Sequence, residues 1–430
     1  MSPLNFDTGR DAPLNMSRMA FGLTGSEILR IAGEVRALKA SGARVLDLTV
    51  GDFDPKQFKI PAVLEARIAS ALAQGETNYP PSNGMPALRE AIARLFSRGL
   101  GLDYPVDGVV VAGGARPIIY STYRALVDPG DTVVYPVPSW NNNHYVHMNA
   151  ARGVPIEVGP ATRFLPTAAD LRPHLRNARL LALCSPQNPT GTCFTEDGLR
   201  EVCDVVLEEN ARRGAGAPAL YVMYDQVYWM LTFGGTRHVN PVSINPLMAP
   251  YTVFVDGASK GFAATGLRVG WGVGPPAIIK RMSDTIGHMG AWAPRAEQVA
   301  VAGFLDDRTA MDSYMKEFHG GVQRRLDALH QGFQAMKTAG LPVDSITPMG
   351  AIYLTVQIGA KGRTTPDGKV LATGDDVRRY LLDAAAFALV PFNCFASPSD
   401  NWYRCSVGAV SEADISGAMP RLHAALAALR

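Results

Sequence analysis

Seven short, apolar, β-branched runs separated by amphipathic stretches limit what this chain can fold into more than any other feature of its sequence. The runs lie at 109–112, 132–135, 155–158, 180–183, 221–224, 253–255 and 268–272. Each is bounded by Gly, Pro or Asp, so each reads as a strand. Helical patterning occupies 86–100, 117–126, 195–209 and 277–286. Strands that alternate with helices pack as a mostly parallel sheet, because each parallel connection needs a crossover and the crossover helices cover both faces. The expected fold class is α/β, with a seven-stranded, mostly parallel sheet between helices. In open sheets of this kind ligand groups gather at the carboxyl ends of the strands.

The texture changes after residue 306. A long helical stretch at 307–338 leads to a strand at 351–357, a helix at 375–386, short strands at 388–390 and 403–406, and a terminal helix at 412–429. This reads as a smaller α+β domain, joined by an N-terminal strand at 44–50. A chain of 430 residues is too long for one ordinary core. The expected division is an N-terminal segment 1–51 contributing to the small domain, a large domain 52–306 and a small C-terminal domain 307–430. Residues 212–218 and 233–245 read as surface loops.

Composition narrows the class of partner. Lys and Arg are scattered and the formal charge is +2, which argues against nucleic acid or an anionic membrane surface. No apolar run approaches the ~18–20 residues needed to span a bilayer. Residues 1–14 show no signal-peptide pattern and read as a poorly ordered lead-in. The five cysteines form no CxxC pair and no Cys/His ligand spacing, so no metal site is expected. Free thiols suit a reducing compartment, and cytoplasm is the expectation.

Chemistry concentrates in Ser259-Lys260-Gly261-Phe262 followed by Thr265-Gly266-Leu267-Arg268-Val269-Gly270-Trp271. A lysine just past a strand end can form a Schiff base with an aldehyde. The preceding hydroxyl and an arginine eight residues on can bind a phosphate ester. The run resembles the S-K-x-F-x-x-x-G-x-R-x-G-W signature of the class I/II aminotransferases, which have the pyridoxal-5'-phosphate (PLP) fold type I. The resemblance implies that Lys260 carries PLP as an internal aldimine and that Ser259 and Arg268 hold its phosphate.

Further motifs extend the resemblance from Gly51 to Arg404. Asp225 and Tyr228, in Tyr224-Asp225-Gln226-Val227-Tyr228, resemble the family's D-x-x-Y element. There the carboxylate keeps the pyridine nitrogen protonated and the tyrosine hydrogen-bonds the phenolic oxygen. Asn188, in Ser185-Pro186-Gln187-Asn188-Pro189-Thr190-Gly191, would share that oxygen and help hold the substrate carboxylate. A Gly-rich turn entering a helix offers backbone N–H groups to a phosphate, and Gly114, Ala115 and Arg116 fall where the family places its phosphate cradle. Trp140 falls where the family stacks an aromatic ring on the pyridine. Tyr79, in Asn78-Tyr79-Pro80-Pro81, resembles a tyrosine that reaches the phosphate of the neighbouring subunit, which implies a homodimer with shared active sites. Gly51 and Arg404 occupy the family's positions for the substrate α-carboxylate.

The implied activity moves an amino group from an L-amino acid to a 2-oxo acid such as 2-oxoglutarate, with Lys260 as general base at Cα. A carbon–sulfur β-lyase of the same fold uses the same residues, and a non-catalytic PLP-binding regulator is the remote reading. Some departures bear on the substrate. Ala115 or Arg116 stands where some relatives carry a Lys for an acidic side chain. Asn143, with His144 next to it, stands where aspartate-specific relatives carry a His near the ring-nitrogen carboxylate. Trp292 lies in a region that lines substrate pockets, where an indole favours a neutral or aromatic side chain, although packing explains it equally. Arg295 starts a helix after Pro294 or binds an acidic group.

Overall fold

The computed structural model describes residues 11–430 together with Leu4 and Phe6, apart from the side chains of residues 12 and 13. The lead-in expected over residues 1–14 falls largely outside these described residues. Thirteen strands are present among them. They are β1 (Leu46–Asp47), β2 (Val109–Ala112), β3 (Thr132–Val137), β4 (Arg152–Glu157), β5 (Ala178–Cys184), β6 (Tyr221–Asp225), β7 (Thr252–Gly257), β8 (Gly270–Val273), β9 (Val343–Ser345), β10 (Tyr353–Ile358), β11 (Phe387–Ala388), β12 (Val390–Pro391) and β13 (Trp402–Ser406).

Seven strands form one sheet in the order β2-β8-β7-β6-β5-β3-β4. Pairings β4–β3, β3–β5, β5–β6 and β6–β7 are parallel, and only β8 runs antiparallel to its neighbours β7 and β2. The apolar character of the inner strands follows from burial on both faces, whereas β4, at the sheet edge, is largely exposed. Val109 and Val111 join a core built with the helices Pro86–Leu100, Glu196–Arg213 and Arg295–Asp306. Val110 and Ala112 point the other way, into a core with the helices Ala115–Leu126 and Pro276–Met289. Alternate residues of one strand therefore serve two cores, as the period of two requires.

A second, four-stranded antiparallel sheet has the order β12-β13-β10-β9 and packs with the helices Arg308–Thr338, Gly374–Ala385 and Glu412–Ala427. The expected joining strand at 44–50 shrinks to β1, which pairs in parallel with β11 as a separate two-stranded sheet. The fold is the expected α/β class with a smaller antiparallel-sheet domain.

Some elements escaped the periodicity argument. The helices Glu27–Ala40 and Ala62–Ala73 were not expected, and the strand expected at 268–272 is β8, because Arg268 takes a left-handed φ of 56°. In the helix Glu27–Ala40, Ile28 and Ile31 enter the first core while Val35 packs on Leu382 and Ala388. Apolar residues divided between two surfaces blur the single stripe that a sequence pattern reveals. No described helix is long and apolar enough to cross a membrane.

Candidate active site

Strand β7 ends at Gly257, and the one-turn helix Ala258–Gly261 that follows carries Ser259 and Lys260 to the carboxyl edge of the sheet. Lys260 Nζ donates to the Gly51 carbonyl oxygen at 2.5 Å. The amine is enclosed by the rings of Phe53 and Tyr228, with centroids at 6.0 and 5.9 Å. Burial lowers its pKa to about 8; Asp52 opposes the shift, and Arg404, Arg116 and Arg268 add to it. An amine titrating there is a usable base near neutral pH.

Asp225 closes β6, paired across the sheet with Cys184. Its Oδ1 accepts from the Val227 N–H at 3.2 Å, and no other hydrogen bond to this carboxylate forms among the described residues. Burial raises its pKa to about 6, against the opposing pull of that N–H and of Lys260. A partly buried carboxylate with so little compensation is matched by a cationic N–H donor. Trp140 stands beside it, with the Arg116 guanidinium 5.3 Å from the centre of its ring. Asp225, Trp140 and Asn142 also border a side cavity of about 20 Å³. Asn142 accepts from the Tyr123 hydroxyl at 3.0 Å and donates to Ser139 Oγ at 3.3 Å. It is therefore Asn142 that reaches the neighbourhood of Asp225, while Asn143 is exposed and His144 lies outside both cavities.

At the opposite end of the cleft, Gly114 caps the helix Ala115–Leu126 with φ 99°. A Cβ at Gly114 would stand 2.3 Å from Arg268 Nη2, so only glycine lets the guanidinium lie over this turn. Gly270 permits the matching approach of β8, since a Cβ there would stand 2.3 Å from the Gly114 carbonyl carbon. Arg268 is held by the Thr265 and Gly113 carbonyls at 2.7 and 3.0 Å, and Thr265 Oγ1 donates to Asp52 Oδ1 at 2.5 Å. A helix N-terminus, a hydroxyl at Ser259 and a guanidinium that has no carboxylate partner among the described residues form a site for a dianion.

Arg404, in the middle of β13, is fully buried. Nη1 donates to Asn188 Oδ1 at 3.0 Å and Nη2 to the Thr49 carbonyl at 2.6 Å. The guanidinium carbon lies 4.6 and 4.9 Å from the ring centres of Tyr353 and Phe395. Its Nε has no partner, and no described carboxylate lies within ion-pair distance. A buried cation left in this state fits an incoming carboxylate. Asn188 is presented by a loop that Gln187 braces, its Nε2 donating to the Pro138 carbonyl at 3.0 Å and its Oε1 accepting from Thr190 at 2.7 Å.

Gly51, Ala115, Arg116, Trp140, Asn188, Asp225, Tyr228, Ser259, Lys260, Arg268 and Arg404 all line one cavity of about 300 Å³, with Gly114 directly beneath Arg268. Tyr79 lies elsewhere, 80% exposed, with its ring 5.2 Å from that of Trp292. Trp292 thus contacts Tyr79 and does not line this cavity, and Arg295 is ion-paired with Glu76. Sequence reasoning missed Asp52, Thr265, Tyr353 and the cavity wall formed by Leu29, Ala32 and Arg36 of the helix Glu27–Ala40. Thr265 opens the run that carries Arg268 and Asp52 follows Gly51, so their positions were visible although their contacts were not.

The model of "Aminotransferase class I and II" matches residues 43–422. An aspartate aminotransferase of Rhizobium meliloti is 32% identical over 93% of each chain. An aspartate/prephenate aminotransferase of Thermus thermophilus is 29% identical, over 89% of this chain and 92% of its own. Among solved structures, the Rhizobium meliloti aspartate aminotransferase superposes with a TM-score of 0.88 at 30% identity, covering 96% of this chain and 99% of that one. These relatives favour transamination over β-elimination. A family match across most of the sequence, joined to an overall fold shared with solved aminotransferases, leads to one conclusion: the chain belongs to the class I and II aminotransferases, a PLP-dependent family.

Proposed function

We propose that this aminotransferase binds PLP in the 300 Å³ cleft, on Lys260, and passes an amino group from an L-amino acid to a 2-oxo acid such as 2-oxoglutarate. The observation that carries the reading is the charge pattern of the cleft. Five cations (Arg36, Arg116, Lys260, Arg268 and Arg404) face two carboxylates, Asp52 and Asp225. That excess suits one dianionic phosphate and one substrate carboxylate. Arg268, Ser259 and the N–H groups behind Gly114 would take the phosphate, Asp225 the ring nitrogen, Asn188 and Tyr228 the phenolic oxygen, and Arg404 the α-carboxylate.

Bound PLP supplies an electron-withdrawing ring that takes up the electron pair left at the substrate Cα. The rest is the work of this chain. Asp225 holds a proton on the ring nitrogen, which a carboxylate with no other charged partner does well. Arg404 fixes the substrate so that its Cα–H points at Lys260. Lys260, once released as the free amine, would take the proton from Cα and hand it to the cofactor carbon bonded to the substrate nitrogen. Gly51 O holds the amine in place for both transfers.

The substrate side chain would meet Leu29 and Ala32, with Arg36 beyond them. An apolar wall with a cation behind it suits a neutral or aromatic donor together with a dicarboxylic acceptor. The names of the relatives add aspartate as a donor, and Arg36 and Arg116 would take its second carboxylate. The exposed Tyr79 supports a homodimer in which it completes the partner's phosphate site. Residues 52–306 would form the PLP-binding domain and residues 1–51 with 307–430 the smaller one, in a cytoplasmic protein.

The experiment is to add single amino acids to the PLP-loaded protein without an oxo acid. Loss of the visible band, reversed by 2-oxoglutarate, is the expected result. Continuous release of ammonia and pyruvate would establish a lyase, and an unchanged spectrum with every amino acid would refute both.

A further inference from the structure

Tyr228 and Tyr353 bring their hydroxyls to 2.6 Å inside the protein, and neither has another hydrogen-bond partner among the described residues. Both side chains border the cleft, Tyr228 from the loop after β6 and Tyr353 from the first residue of β10. Tyr353 is tightly placed. Its carbonyl oxygen lies 2.2 Å from where a Cβ on Gly191 would be, and its hydroxyl lies 2.6 Å from where a Cβ on Gly51 would be, so only glycines fit against it at those points. The Arg404 guanidinium lies 4.6 Å from the centre of its ring. Tyr353 therefore contacts both Tyr228 and Arg404, which on the PLP reading would face the cofactor's phenolic oxygen and the substrate carboxylate.

One proton must lie between the two hydroxyls. Both tyrosines border the cleft, but the Tyr353 hydroxyl packs against Gly51, and among the described residues its one acceptor is Tyr228. Donation from Tyr353 to Tyr228 leaves the Tyr228 proton free to point into the cleft, and the reverse order leaves the Tyr353 proton unused. A guanidinium over the Tyr353 ring withdraws electron density and makes its hydroxyl the better donor. We propose that Tyr353 is a positioning residue that donates to Tyr228 and thereby strengthens the hydrogen bond from Tyr228 to the cofactor's phenolic oxygen. The proposal rests on the PLP reading above.

A hydrogen bond to an anionic oxygen stabilises the form of the bound cofactor that has lost its proton. Weakening it therefore raises the pH midpoint of the visible absorption change. In the PLP-loaded protein, Tyr228→Phe is expected to raise that midpoint by roughly 1–2 pH units, the worth of a hydrogen bond to a charged group. Tyr353→Phe keeps the ring under Arg404 and is expected to raise it by roughly 0.2–0.5 of a unit, the share that one bond lends its neighbour in a chain. The double variant is expected to match Tyr228→Phe alone, because Tyr353 acts through Tyr228. A Tyr353→Phe midpoint equal to that of the unsubstituted protein overturns the proposal, as does a double variant in which the two shifts add. Should Tyr353→Phe fail to fold, NMR of the unsubstituted protein labelled at tyrosine Cζ decides, since loading with PLP is expected to move both tyrosine signals and an unmoved Tyr353 signal overturns the proposal. An unsubstituted protein that develops no visible band with PLP removes the cofactor reading and this inference together, which distinguishes that failure from the others.

Discussion

Arg404 Nη1 donates to Asn188 Oδ1 across 3.0 Å, joining the middle of β13 to the loop after β5 over 216 residues of sequence. The bond ties the two sheets together where, under the proposed function, the substrate carboxylate would bind. Arg404→Lys keeps the charge but loses the planar fork that reaches Asn188 and Thr49 together. The expected result is a rise of about 10- to 100-fold in KM for both the amino acid and the oxo acid. PLP affinity, measured by fluorescence titration, is expected to stay nearly constant. Equal losses of PLP and substrate affinity would count against the assignment.

Lys260 titrates near 8 because burial disfavours its charge. Below that pH the amine is protonated and cannot attack an aldehyde. The rate at which PLP-free protein takes up PLP is expected to rise with pH and level off above about 8. Stopped-flow absorbance checks this, and a flat rate between pH 6 and about 9 would contradict it. Lys260→Ala is expected to abolish turnover.

Asp225 is held up to about 6 by burial, against an ordinary value of 3.8. A carboxyl whose pKa is raised on folding costs the PLP-free protein nothing below the ordinary value and the full amount above the raised one, so stability falls as pH rises between them. Asp225→Asn removes that cost. Calorimetry of the PLP-free proteins is expected to show the variant more stable at pH 8, by no more than about 3 kcal/mol, and little different at about pH 3. Its kcat with PLP is expected to fall by at least about 100-fold, because an amide cannot hold the ring nitrogen protonated. A variant destabilised at both pH values would refute the account.

Gly114 combines φ 99° with a 2.3 Å approach of its would-be Cβ to Arg268. Gly114→Ala is expected to displace the guanidinium and to weaken PLP binding by about 10-fold or more. Circular dichroism is expected to stay unchanged. Native PLP affinity in this variant would separate Arg268 from the phosphate.

Several site residues were legible because they adjoin strands with strong local signals. Asp225 follows the apolar run of β6, and Ser259 and Lys260 follow β7, so locating the strand ends located the residues. The helix Glu27–Ala40 was not legible. Its apolar residues divide between two cores and the cleft, and no single face repeats. Asn142 was passed over for its neighbours Asn143 and His144. Only the turn of the helix Asn142–Met148, with Asn141 at φ 58° before it, decides which of the three borders the side cavity next to Asp225.

The α/β fold, and the strand ends that carry Asp225, Ser259 and Lys260 to one edge of the sheet, were readable in the chain because they follow from periodicity and from short local motifs. Tertiary structure alone decided what depends on distant segments meeting. It placed Tyr353 against Tyr228, set Arg404 between two rings with Nε unpartnered, and turned Tyr79 and Trp292 toward each other away from this chain's own cleft. Side-chain contacts across 125 or 216 residues leave no periodic trace, since each partner packs acceptably in its own element and only the folded sheet brings them together.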